Sequence, residues 1–130
     1  MSYQEDTIDW QAVEYINAWL DEETADNYKN QPLAQDWARI SKVQEELGEA
    51  IQNFIGFTGQ NPRKGIINDL DDVLDELADT AITAIFAIQH FTNNTSQTKS
   101  LISGKLNRIY RRAPILYPRA YQQGVGEDSQ

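Results

Sequence analysis

The chain contains no cysteine and only one histidine, His90. The absence of cysteine excludes a disulfide framework and a thiolate metal site, and the single histidine argues against a histidine-rich zinc site. No apolar run is long enough to span a membrane, and the acidic N-terminus does not resemble a signal peptide. We therefore expect a cytoplasmic protein without a membrane partner, in which any bound metal prefers oxygen ligands.

In the first part of the chain, acidic residues far outnumber basic ones. Residues 1–79 hold 18 of the 20 acidic residues, whereas residues 80–126 hold six bases and no acid. The net charge of −9 argues against general binding of nucleic acid. The asymmetry fits either a solvated acidic face on the first helices or an acidic, metal-binding half beside a basic half that holds a polyphosphate.

Apolar residues recur with the 3.6-residue period of a helix, and strand-type alternation is nowhere sustained. The periodicity predicts four helices, over residues 6–22, 33–55, 69–91 and 97–112. With 130 residues, the chain is expected to form one all-α domain, resembling a four-helix bundle, over residues 1–121. Residues 122–130 are expected to be a disordered acidic tail.

Local signals place the helix ends. Asp6 or Thr7 is the expected N-cap of the first helix, and Gly56 is the expected start of a loop of about ten residues. Pro114 is expected to end regular structure. Residues 81–88 are apolar almost all round, which predicts that this part of the third helix is central and buried.

Two stretches, residues 45–51 and 75–81, nearly repeat each other. Each carries a carboxylate pair three residues apart, Glu46 with Glu49 and Glu76 with Asp79, next to an apolar stripe centred on Leu47 or Leu77. Positions i and i+3 lie on one helix face, so both pairs occupy the same flank of their helices. If the two helices pair antiparallel, the four carboxylates form an oxygen-rich cage suited to a hard divalent cation.

Acidic residues on helices mostly face water, so a solvated surface is the simpler interpretation of either pair alone. The shared phase of the two pairs favours a metal site, because adjacent carboxylates repel one another unless a cation neutralises them. In this geometry Glu45 and Asp75 point away from the cage.

The pattern Glu45-Glu46-x-x-Glu49 followed by Glu76-x-x-Asp79 resembles the signature of the MazG-like, all-α nucleoside triphosphate pyrophosphohydrolases. The resemblance covers residues 33–118. It implies an enzyme that cleaves a nucleoside triphosphate to the monophosphate and pyrophosphate, in nucleotide house-cleaning or pool control. It also implies that Glu46, Glu49, Glu76 and Asp79 ligate magnesium, with manganese as the alternative ion.

Within that resemblance, Glu46 and Glu49 are candidates to accept the proton of the attacking water. Glu45 matches the first glutamate of the motif and is expected to orient the site or to assist that water.

Cationic residues are expected to organise the phosphates. Lys105, Arg108 and Arg112 fall on one face of the last helix, where they either contact phosphate or form a solvated basic face. Lys64 and Arg63 in the loop, and Lys42 one turn before Glu46, are further candidates. Trp37 is the best-placed tryptophan for stacking on a base, although a core or dimer-interface role suits the tryptophans as well.

Four helices can hardly enclose a nucleotide, so we expect a homodimer or a tetramer. The rival interpretation is a non-catalytic acidic module of the same fold that binds a partner's basic surface. It predicts that the carboxylates pair with arginine or lysine. An acidic mimic of nucleic acid fits the net charge but does not explain the matched phase of the two motifs.

Overall fold

The computed structural model describes residues 8–116, and the side chains of residues 8–113. Every regular element in this range is helical, which confirms the all-α prediction. The elements are α1 (Trp10–Thr24), a short 3-10 turn (Ala25–Tyr28), α2 (Pro32–Thr58), α3 (Leu70–Thr92) and α4 (Thr95–Leu116). None of the described helices is long and apolar enough to cross a membrane. The predicted tail at residues 122–130 lies outside the described residues.

The chain divides after Thr95 into two compact units. The first contains α1, α2 and α3. Within it α2 and α3 make the most extensive contact, and α1 packs against α3. The second contains α4, which runs past Pro114 to Leu116. The prediction that Pro114 ends regular structure is therefore wrong, since α4 continues for two residues beyond it.

The start of α1 differs from the prediction. Asp9, and neither Asp6 nor Thr7, is its N-cap, and the Asp9 carboxylate accepts a 3.1 Å hydrogen bond from the Ala12 N–H. Asp6 and Thr7 themselves lie outside the described residues. All three residue types cap helices well, so the sequence offered several equivalent starting points.

Both ends of α2 are set by backbone geometry. Pro32 is its first residue, where a fixed φ and a missing N–H carry no penalty. The helix continues through Gly56 and ends at Gly59, which adopts a left-handed φ of 66°. Gly56 was expected in the loop, but it is buried inside α2 because the loop folds back on it: its carbonyl accepts hydrogen bonds from the N–H groups of Ile67 (2.9 Å) and Asn68 (3.4 Å).

The start of α3 is fixed by a capping box. The Asp69 carboxylate accepts from the Asp72 N–H at 2.9 Å, and the Asp72 carboxylate accepts from the Asp69 N–H at 3.1 Å. The helix ends at Asn93, a C-cap with a φ of 46°. The predicted range for this helix is thus confirmed to within one residue.

The apolar core of the described part is small. Its buried apolar side chains are Val13, Ala50, Val73 and Ala87. The expectation that residues 81–88 are central and buried is wrong in part, because Ile82 is 47% exposed. Leu47 and Leu77, the centres of the two stripes, are 43% and 46% exposed. In the first unit α3 packs against α1 and α2, which leaves another side of it uncovered.

Two glycines of α2 provide a matched test of this packing. A Cβ added to Gly56 would collide with the Asn68 side chain and approach Ile67 Cγ1 to 2.9 Å, whereas a Cβ at Gly48 would meet nothing within 4 Å. Gly56→Ala should therefore lower the free energy of unfolding by about 1–3 kcal/mol, since the loop must shift. Gly48→Ala should raise it by about 0.5–1 kcal/mol, because alanine is the better helix former. Urea denaturation measures the free energy of unfolding of both variants. A Gly56→Ala variant as stable as the wild type would contradict the close packing of the loop against α2.

Candidate metal centre

Three carboxylates from two helices converge on one point. Oxygen atoms of Glu46 and Glu49 on α2 and of Glu76 on α3 all lie within 4.8 Å of one another. The convergence follows from antiparallel pairing: residues later in α2 lie opposite residues earlier in α3. Farther along the pair, the Asn53 side-chain amide donates to the Asp72 carbonyl at 3.2 Å. Three of the four predicted metal ligands are therefore brought together.

The fourth predicted ligand, Asp79, belongs to a second and overlapping group. Asp75, Glu76 and Asp79 also offer oxygens within 4.8 Å of one another. Asp75 was expected to point away from the cage, and the structure corrects this: its carboxylate reaches the Glu76 side chain from the preceding position. Glu76 is common to both groups and is the residue that joins them.

Glu76 has a buried carboxylate oxygen and a raised pKa. Its Oε2 atom is buried and has no hydrogen-bond partner among the described residues. Burial, followed by the hydrogen bond and charge of Glu49 and the charges of Asp79 and Glu46, raises the pKa of the Glu76 carboxyl. A buried oxygen without a partner and an unfavourable carboxylate charge are both relieved by a bound cation.

Lys42 lies beside the cluster on α2. Its ammonium is 3.0 Å from a Glu46 oxygen and 3.1 Å from a Glu45 oxygen, and hydrogen bonds to Glu46 and Glu45 raise the pKa of Lys42. Glu46 is nearly buried, with 12% of its side chain exposed, whereas Glu45 is more than half exposed. Glu45 thus contacts the site only through Lys42 and joins neither carboxylate group.

The donor set fits a hard divalent cation. Magnesium is typically held by a few carboxylates together with water and substrate phosphates, and it needs no nitrogen or sulfur ligand. Within residues 8–113, neither lysine nor arginine forms an ion pair with Glu49, Glu76 or Asp79. These carboxylates therefore remain available to a metal ion.

A mainly apolar cavity of about 330 Å³ adjoins the cluster. It reaches the carboxylate flank through Lys42, four residues before Glu46, and Thr83, four residues after Asp79. The remaining lining residues come from α1, the 3-10 turn, α2 and α3: Leu20, Thr24, Tyr28, Gln35, Ala38, Arg39 and Phe86. Its volume lies at the small end of the range for ligand pockets.

Tyr28, Gln35 and Phe86 were not predicted as site residues. Periodicity could not identify Tyr28, which stands in a polar stretch, or Gln35, which precedes the apolar stripe of α2. Gln35 donates from Nε2 to the Thr24 hydroxyl at 3.1 Å and to the Asp21 carbonyl at 3.3 Å. These bonds orient its amide at the cavity wall.

A partly buried polar network connects α1 with α2 and α3. His90 Nδ1 lies 2.9 Å from Asp21 Oδ1, and His90 Nε2 lies 2.6 Å from Asp36 Oδ1. Arg39 pairs with Asp21 at 3.3 Å and donates to the side chain of Asn17, which is 2% exposed. Burial lowers the pKa of Arg39, opposed by the charge and hydrogen bond of Asp21. Asn17 and His90 thus have structural partners within the protein.

The other predicted substrate contacts are exposed. Trp37 is 70% exposed on α2 and does not line the apolar cavity. Arg63 and Lys64 lie in the loop between α2 and α3, where Lys64 lines a second, polar cavity. On α4, which is described by itself, Lys105, Arg108 and Arg112 are exposed as well. Their contact with phosphate stays a prediction.

Comparison with protein-family models, curated proteins and solved structures finds no match to this chain. The resemblance noted above therefore rests on the residues themselves.

The raised pKa of Glu76 gives a pH-dependent prediction for the metal-free protein. Because the folded state binds this proton more tightly than the unfolded state, the free energy of unfolding should fall as the pH rises above the ordinary value of 4.5. Glu76→Gln should flatten this dependence and raise the melting temperature at pH 7, since it removes a charge from the cluster. Magnesium should stabilise the wild type more than the variant.

Glu23→Gln, the same charge change at an exposed position near the end of α1, is the matched control and should leave the magnesium response intact. Thermal melts across pH, with EDTA or with millimolar magnesium, measure all three proteins. A Glu76→Gln variant that is less stable than wild type in EDTA at pH 7 would contradict the strained carboxylate cluster.

Proposed function

We propose that the chain is a magnesium-dependent nucleotide pyrophosphohydrolase that converts a nucleoside triphosphate to the monophosphate and pyrophosphate. The observation that carries the proposal is the convergence of Glu46, Glu49 and Glu76, with a buried and unpartnered oxygen, next to an apolar cavity. The carboxylates would bind the magnesium ion of a magnesium–nucleotide complex, and the apolar cavity would bind its base.

In this proposal Glu46, Glu49, Glu76 and Asp79 hold magnesium, and Asp75 adds a carboxylate at the edge. When bound, magnesium would supply positive charge to neutralise the phosphates and to favour attack by water. Lys42 adds a fixed positive charge on the same flank. It lies between the carboxylates and the apolar cavity, where the first phosphate of a nucleotide in that cavity would pass.

Hydrolysis adds water across the bond between the α and β phosphates. The water oxygen bonds to phosphorus, the bridging oxygen leaves with the bonding electrons on pyrophosphate, and the water proton passes to a carboxylate. Of the two candidate acceptors, Glu46 is occupied by the Lys42 ammonium at 3.0 Å. Glu49 has no cationic partner within residues 8–113. Glu49 is therefore the better proton acceptor.

The apolar cavity suits the base. Tyr28 and Phe86 provide aromatic surface, and Thr24 and Gln35 provide polar groups at the wall. The Gln35 amide donates inside the protein, and its oxygen accepts no hydrogen bond from residues 8–113. That oxygen can accept from an amino or imino group of a base.

The rival interpretation, a non-catalytic acidic module, predicts carboxylates neutralised by lysine or arginine. Lys42 does pair with Glu45 and Glu46. The carboxylates of Glu49, Glu76 and Asp79 have no such partner within the described residues, although each belongs to one of the two carboxylate groups. This distribution supports a cation site more than a protein-binding acidic face.

The activity can be tested with a panel of ribo- and deoxyribonucleoside triphosphates in millimolar magnesium. Monophosphate and pyrophosphate are the expected products, separated by ion-exchange chromatography. Glu49→Gln should reduce the rate by about 10²-fold or more, because it removes the proton acceptor and a metal ligand. Glu23→Gln, the same change at an exposed residue of α1 outside both carboxylate groups and both cavities, should retain the wild-type activity. Diphosphate and orthophosphate as products, or a fully active Glu49→Gln variant, would refute the proposal.

We further propose that the protein assembles into a homodimer or a tetramer. Along α2 and α3, Leu47, Ile51, Phe54, Leu70, Leu74 and Leu77 are each between 43% and 54% exposed. So many half-exposed apolar side chains, beside four buried ones among residues 8–113, leave substantial apolar surface in water. A second copy of the same surface would cover it symmetrically.

Self-association is checked by light scattering after size exclusion. The mass should be a multiple of the 14.8 kDa chain. Leu77→Lys should shift the protein toward monomer, because a charge in a self-complementary apolar face meets its own copy. Tyr15→Lys, which places the same charge at an exposed aromatic residue of α1, should leave the mass unchanged. A wild-type protein that stays monomeric at 100-fold dilution and at high concentration alike would contradict assembly.

A further inference from the structure

A second cavity, of about 470 Å³, lies where the loop between α2 and α3 folds back on the end of α2. Polar side chains form most of its lining, and Ile55, Ile67 and two glycines complete it. The polar residues are Gln52, Asn53, Asn61, Lys64 and Asn68. No carboxylate lines this cavity, although acidic residues are abundant on both neighbouring helices.

The lining is rich in hydrogen-bond donors. Asn61 accepts from the Arg63 N–H through its side-chain oxygen at 3.1 Å, which leaves its NH₂ group free to donate. Asn53 and Asn68 each use Nδ2 toward Asp72 and keep a second N–H on the same nitrogen. The Lys64 ammonium makes no ion pair within residues 8–113. Amide N–H groups around an ammonium suit the oxygens of a phosphate.

The cavity is also preorganised. The N–H groups of Lys64 and Gly65 donate to the Asn61 carbonyl at 3.1 Å and 2.9 Å, which closes a tight turn in the loop. Gly65 has a φ of 69°, the left-handed conformation that glycine adopts without strain. Ile67 and Asn68 then fix the end of the loop to the Gly56 carbonyl. The loop backbone that carries Asn61, Lys64 and Asn68 is therefore fixed before any ligand arrives.

The two cavities lie on opposite sides of the carboxylates along the helix pair. Lys42 lines the apolar cavity, Glu46 and Glu49 follow, and Asn53 lines the loop cavity. From Lys42 to Asn53 the axial distance is about 16 Å, at 1.5 Å per residue, and Asn53 lies one turn beyond Glu49. A nucleotide with its base in the apolar cavity would therefore pass its first phosphate over the carboxylates and reach the loop cavity with its terminal phosphates.

We infer that the loop cavity binds the terminal phosphates of the substrate, and hence the departing pyrophosphate, through Lys64 and the surrounding amides. The inference rests on the proposed function for the direction of the substrate. It explains why the bond between the α and β phosphates would lie at the carboxylates: the two cavities hold the two products on either side. Because the neighbourhood is acidic, pyrophosphate should bind together with magnesium.

The test is a calorimetric titration of the full chain with inorganic pyrophosphate in millimolar magnesium, without turnover. The wild type should bind pyrophosphate, and Lys64→Gln should weaken binding by about tenfold or more, since it removes a charge-assisted hydrogen bond. Lys29→Gln removes the same charge from an exposed lysine that lines neither cavity, and it should bind like the wild type. Lys64 is exposed, so its replacement should not impair folding.

Pyrophosphate binding that is equal in Lys64→Gln and wild type, or absent from the wild type, would overturn the inference. Either result leaves the hydrolase proposal standing if monophosphate and pyrophosphate are formed. Conversely, binding that depends on Lys64 in a protein without hydrolytic activity would keep the polyphosphate site and remove the proposed reaction.

Discussion

The antiparallel pairing of α2 and α3 is the constraint on which the rest of the structure depends. It sets Glu46 and Glu49 opposite Glu76, and it forces carboxylates to within 4.8 Å of one another. Like charges at that distance repel, and more strongly where solvent is excluded. The protein offsets part of the repulsion with the Lys42 ammonium and part with the raised pKa of Glu76. The remainder is what a divalent cation would neutralise.

The sequence predicts those features that are determined by interactions within one or two helical turns. The capping box at Asp69 and the long apolar stripe of α3 fix its range almost to the residue, because each acts within one or two helical turns. The pairing of carboxylates three residues apart likewise follows from helix geometry alone. Asp75 departs from the prediction: its helical angle points it away from the cage, yet its carboxylate offers an oxygen within 4.8 Å of oxygens of Glu76 and Asp79.

The periodicity of apolar residues does not predict features that depend on packing between helices and loops. Glycine usually breaks helices, which predicts a loop at Gly56, whereas in the structure the missing side chain lets Asn68 approach the α2 backbone. The apolar cavity draws Tyr28, Gln35 and Phe86 from three separate segments. The residues next to each of them in the sequence do not indicate that the three line one cavity. The exposure of Leu47 and Leu77 shows the same limit, since a stripe identifies an apolar face but not what covers it.

Charged groups, more than apolar packing, hold α1 in place beside the carboxylate site. Val13 is the one buried apolar side chain that α1 contributes among the described residues, whereas Asn17 and Asp21 bind Arg39 and His90. Such contacts are directional, and a partly buried charge that loses its partner is costly. They therefore specify one position of α1 more strictly than a few apolar contacts would. Since Leu20 and Thr24 on the same helix form a wall of the apolar cavity, this polar network determines the shape of the space that faces the carboxylates.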